Sequence, residues 1–234
     1  MKDFAQFIAP MLSQRMLMVL FKPFKLGQVV GKRKVQYVVD LKWWSDLFSE
    51  FSFRVYMKNF EKMSNYLTIP SSSCEAGKGL NWGLVTNFYG KSLPTDYMMF
   101  IEHYGSGEIG GWLTVLNPFS KNTYINLLHQ FAPILSSVST LKEEFPETYP
   151  FPLLFEPGGL LPWGISIDGD IYCWSTAGVS GKWKIVVLGR HSEPEEFEVS
   201  FTSFINGLLN GSISCKAIPQ EWAGGDIRFV PYTP

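Results

Sequence analysis

The stretch Pro162–Trp174, PWGISIDGDIYCW, constrains the fold more than any other, because it dictates a sheet and the direction of its strands. Asp-Gly is a favoured pair for a two-residue type I′ turn, whose central positions both need φ > 0. With Asp168-Gly169 at the turn, Ile167 faces Asp170, Ile165 faces Tyr172 and Trp163 faces Trp174. One face then carries both tryptophans, two isoleucines and the tyrosine, and the other carries Gly164, Ser166, Ile171 and Cys173. A calcium loop would need oxygen ligands at alternate positions and a closing glutamate. Here Ile167 and Ile171 flank the only two carboxylates of the stretch, so Asp168 and Asp170 are expected to form the turn rather than to do chemistry. Whether the tryptophan wall faces a core or a partner stays open at this level.

The segments around the hairpin extend the picture. SLPTDYMMFIEHYG has Ser and Pro at its start and Gly105 at its end. Leu93, Tyr97, Phe100, Ile101 and Tyr104 form one apolar helical face. GGWLTVL, Gly110–Leu116, reads as a strand behind a double glycine. A helical pattern spans Asn122–Phe145, with Tyr124, Leu127, Leu128, Phe131, Leu135, Val138 and Leu141 in the stripe and a kink or restart expected at Pro133. FPLLFEP, KWKIVVLG and a short edge segment, EEFEV, read as further strands. SFTSFINGLLNG closes with a helix capped by Ser200 and stopped at Asn210-Gly211. The tail from Ser212 is expected to be irregular. Helices, then consecutive strands, then a helix imply an α+β fold with a single, mainly antiparallel sheet flanked by helices.

Charge is unevenly spread. Residues 1–62 hold 11 Lys/Arg against 5 Asp/Glu, and residues 63–234 hold 9 against 16, so a balance of +6 is followed by one of −7. MSNYLTIPSSS, from Met63, reads as an ordinary domain start. Residues 1–62 are therefore read as an N-terminal extension or a subdomain of their own, with a hairpin expected around Gly31–Lys34. The acidic part would repel nucleic acid and attract a basic protein. Cys74, Cys173 and Cys215 show no metal-ligand spacing and are expected to be packing residues in a reducing, cytoplasmic setting. Pro10, Gln14 and Arg15 break the most apolar stretch, Phe7–Phe21, so no membrane span is expected. His103, His129 and His191 lack a nucleophile or metal motif around them, and the glycine runs lack the Lys-Ser/Thr of a phosphate loop. No cofactor and no metal are called for. The run Glu193, Glu195, Glu196, Glu198 reads either as a solvated loop or as a docking patch for a basic partner.

Three of these segments, in order, resemble the SUKH superfamily of fungal cell-wall synthesis regulators and bacterial toxin-immunity proteins. LPTDYMMFIEHYGSGEIGGW is similar to that family's helix and glycine turn, PWGISIDGDIYCW to its strand pair, and VSFTSFINGLLNG to its closing helix. The resemblance implies a SUKH-like domain over residues 63–234 and a binding protein rather than an enzyme. In bacteria it implies an immunity protein that binds and neutralises a cognate protein toxin, a basic nuclease being the class that suits the acidic balance. The alternative it implies is an intracellular scaffold of the cell-wall-regulator type. Trp112, Asp170 and Trp174, with Glu193, Glu195, Glu196 and Glu198, are the contact residues expected. Aromatic anchors carry binding energy and rim charges steer encounter.

Overall fold

A computed structural model describes residues 55–77 and 79–232; the hairpin expected around Gly31–Lys34 lies outside them. Residues 55–66 are helical (α1). There follow α2 (Trp82–Tyr89), α3 (Thr95–Tyr104), β1 (Gly107–Ile109), β2 (Leu113–Val115), α4 (Leu127–Glu144), β3 (Leu160–Ser166), β4 (Ile171–Ser175), β5 (Lys184–Leu188), β6 (Glu195–Phe197), α5 (Phe201–Leu209) and β7 (Phe229–Pro231). The strands form one seven-stranded sheet in the order β6-β5-β4-β3-β2-β1-β7, and every neighbouring pair is antiparallel. This is the α+β architecture that the order of the elements implied.

The β3–β4 hairpin is present, but its loop has three residues, not two. Ser166 N–H donates to Asp170 O at 2.9 Å, and Gly169 N–H donates to Ser166 O at 3.1 Å. Only Gly169 takes the left-handed conformation, at φ +91°, while Asp168 keeps a negative φ. That is a type I turn closed by a bulge glycine, the commonest three-residue solution. The pairing slips by one: Ile165 faces Ile171 and Gly164 faces Tyr172. A slip of one would turn the side chains of one strand to the opposite face. A bulge between Pro162 and Gly164 restores the phase, and beyond it Leu161 faces Trp174. Trp163, the extra residue, therefore still lies beside Tyr172 and Trp174, with ring centroids 5.4 and 6.1 Å away.

Helix ends follow their local chemistry. Asn126 Oδ1 accepts from Leu128 and His129 N–H, so α4 starts later than the periodicity suggested and leaves Tyr124 exposed. The helix continues through Pro133 without restarting. Ser200 caps α5, and Gly211 follows it at φ +75°. Gly105 must be glycine: its φ is +70°, and a Cβ there would sit 2.1 Å from the carbonyl oxygen of Cys74. That close approach lets Cys74 O accept from Ser106 N–H at 2.9 Å.

FPLLFEP is not a strand. Pro152 and Pro157 remove two ladder donors, and the Glu156 carboxylate takes the Leu153 N–H at 3.1 Å, curling the segment into a turn with Phe155 at φ +75°. Conversely, the tail contributes β7 and GSGEIGG contributes β1, each only three residues long. The expected domain start at Met63 falls inside α1. Phe60, Met63 and Leu67 are all buried in the same core, and Asn59 N–H₂ donates to Ser203 Oγ at 3.2 Å. Phe60→Ala should therefore lower the unfolding free energy by about 3 kcal/mol. Lys58→Ala, on the exposed side of the same helix, should change it by less than about 0.5 kcal/mol. Urea titration checks both, and equal small effects would detach α1 from the folded domain.

Candidate functional site

The hairpin's tryptophans face inward. Trp163 and Trp174 are 0% and 1% exposed, and Tyr172 is fully buried between them and the rest of the core. Trp174 meets Tyr97 of α3 edge-on at 4.9 Å, and Trp163 meets Phe201 of α5 edge-on at 4.9 Å. The wall is thus the surface on which α3 and α5 sit, and Trp174 has no area left for a partner. Asp170 is also withdrawn, at 4% exposure. Its Oδ1 accepts from Arg190 N–H at 2.8 Å and its Oδ2 from Ser166 Oγ at 2.5 Å, so it ties the hairpin loop to the end of β5. Burial removes both residues from the expected contact set. Trp112 is half-buried, and its indole N–H donates to Ala217 O at 3.0 Å. Tyr172 OH shares that carbonyl at 3.1 Å, and together they pin the C-terminal segment.

A second buried carboxylate, Asp96, explains the acid of the first motif. It is 1% exposed at the start of α3, and its Oδ2 accepts from Thr202 N–H at 2.9 Å and from Thr202 Oγ at 3.1 Å. Asp96 therefore caps the N-terminus of α5 from another helix, where the amides are unpaired and the helix dipole favours an anion. No cation is paired with it among the described residues, and burial pushes its carboxyl above the usual range in spite of the Thr202 bonds.

The glutamates lie on the surface. Glu195 and Glu196 belong to β6, an edge strand of the sheet, and Glu193 and Glu198 flank it. Lys184 of β5 reaches Glu198 at 2.8 Å and Glu196 at 3.8 Å. The Glu198 carboxyl is lowered by its hydrogen bond to that lysine. Glu195 is half-buried and accepts from Lys216 N–H at 2.7 Å. Among the described residues one lysine side chain, Lys184, pairs within this group of four carboxylates, with Glu196 and Glu198, which leaves this edge negative.

A second surface has no signal in the sequence. Leu84 and Phe88, one turn apart on α2, are 62% and 48% exposed, and Phe155 is 65% exposed. Phe131 lies 6.0 Å from Phe88 and 5.8 Å from Phe155, and it joins them into one aromatic ridge. Helical spacing alone could not find it, because Leu84 and Tyr89 look equally core-like until the packing decides between them. A polar groove of about 450 Å³ lies between α1 and α5. Among the described residues, no group of three or more His, Cys, Asp or Glu is placed to hold a metal, and no helix is long and apolar enough to cross a membrane.

Asp96 carries a pH signature. Its folded pKa lies above the ordinary value near 3.9, so its contribution to stability is greatest below that pH and declines as pH rises through the folded value. Asp96→Asn removes this titration. The wild-type stability minus that of the variant should therefore fall as pH increases above about 4; a difference flat across pH would contradict the assignment.

A family model described as SUKH_6, SMI1-KNR4 cell-wall, matches residues 87–205, just over half of the 234-residue chain. The match takes in α3, the hairpin with its tryptophan wall, and the first half of α5. No curated protein and no solved structure matches the chain.

Proposed function

Because the chain belongs to the SUKH family, whose members are generally binding proteins without catalytic activity, we propose that it is an immunity protein that binds and neutralises a cognate protein toxin. The observation that supports this reading most is the negative edge at β6. An edge strand displays unpaired backbone groups, and like charges along it keep copies of the chain from pairing there. A basic partner reverses that repulsion into attraction and speeds encounter. Nuclease toxins are basic because they must hold phosphates. The contact residues proposed are Glu193, Glu195, Glu196 and Glu198, together with the half-buried Trp112. The ridge of Leu84, Phe88 and Phe155 adds the exposed apolar anchors that Trp174 cannot supply.

The matched model's own description, cell-wall, favours a second reading, a regulatory scaffold of the cell-wall-regulator type. Co-expression with the product of the neighbouring reading frame separates the two. The immunity reading expects that product to be toxic alone, harmless with this chain, and bound to it in a stoichiometric complex. A product that is neither bound nor neutralised sinks it. In the complex, Glu196→Lys with Glu198→Lys should slow association about tenfold at low salt and much less at high salt. Stopped-flow binding reads both, and rates indifferent to charge and salt would take the contact away from this edge.

A further inference from the structure

The groove between α1 and α5 departs from the usual way two helices meet. Facing helices ordinarily interlock through apolar side chains. Here Asn59, Lys62 and Asn65 recur at helical spacing on one wall, with Ser203, Asn206 and Asn210 on the other. The floor is tied by Asn206 Nδ2, which donates to Asn59 O at 2.8 Å, and by Asn59 Nδ2, which donates to Ser203 Oγ at 3.2 Å. Asn206 is 9% exposed, and among the described residues its Oδ1 has no hydrogen-bond partner, so a buried acceptor stands unpaired beneath the groove. Such a group is costly unless a donor reaches it, directly or through a water.

The lining restricts the ligand. Among the described residues of the lining, one lysine is too little charge for nucleic acid, the absence of a carboxylate argues against a cation, and the surface is too polar for a lipid chain. Side-chain amides each donate and accept, as a peptide unit does. An extended peptide projects its N–H and C=O groups sideways along both edges, so amide-bearing walls on either side can meet both. From Ser203 to Asn210, seven steps along α5 and its cap, the chain rises about 10 Å, which matches about three residues of extended chain. Tyr66, 53% exposed at the rim, offers a ring for one side chain, and Lys62 offers a cation for an acidic one.

We propose that this groove binds a short extended peptide segment, neutral or acidic, through paired hydrogen bonds to the asparagine amides. The site shares no residue with the glutamate edge, so its test stands apart from the toxin-binding reading. The full-length chain is panned against a library of random linear peptides, and the enriched sequences are synthesised and titrated by fluorescence anisotropy. Lys62→Ala with Asn65→Ala alters two exposed positions on α1 and should leave the melting temperature unchanged. It should weaken the selected peptides about tenfold or more, the loss of one to two net hydrogen bonds. Glu196→Lys should leave their binding intact. No enrichment, or binding indifferent to the α1 substitutions, overturns the proposal. So does a parallel oligosaccharide array that yields a groove-dependent binder where the peptides yield none.

Discussion

The structure depends on the edge-to-face interlock between one hairpin and two helices. Trp163, Tyr172 and Trp174 stand in a row on β3 and β4, and Tyr97 and Phe201 drive into that row from α3 and α5. Fully buried aromatics of this size each remove a large apolar area from water, and their tilted geometry adds a favourable electrostatic term. The capping bond from Asp96 to Thr202 then holds the two helix starts together above the same wall. Two of the three segments that resemble the family's motifs are thus the two sides of one contact, and the third supplies the wall on which both sit.

That arrangement explains what was legible in the chain and what was not. The hairpin, α3 and α5 were readable because each carries its own punctuation: Asp168-Gly169, Gly105, and Ser200 with Asn210-Gly211. The loop length was not, because Asp-Gly suits a two-residue turn and a type I turn with a bulge glycine equally well in composition. Trp163 ended on the expected face only because the Pro162–Gly164 bulge corrected the slipped register. β1 and β7 are too short to show alternation and form only because each pairs with a neighbour far along the chain or across a glycine turn.

The candidate contact residues divide along the same line. Trp174 and Asp170 share the residue types found at interfaces, yet the same types serve cores and turn clamps, and only burial tells the two apart. Glu193, Glu195, Glu196 and Glu198 were visible as a run, but the sheet order was needed to place them at an edge, where backbone groups as well as charges face outward. The ridge of Leu84, Phe88 and Phe155 had no signal in the chain at all. It arises from α2 and from a turn that replaced an expected strand.

The aromatic wall faces inward and the acidic edge outward, so the proposed recognition chemistry lies on the surface, away from the buried contacts of the hairpin. Amide hydrogen exchange of the chain, alone and with the product of the neighbouring reading frame, tests that division most directly. The account predicts new protection on binding over residues 193–198, with the hairpin of β3 and β4 equally protected in both states. Protection that appears in the hairpin, with residues 193–198 unchanged, would contradict it.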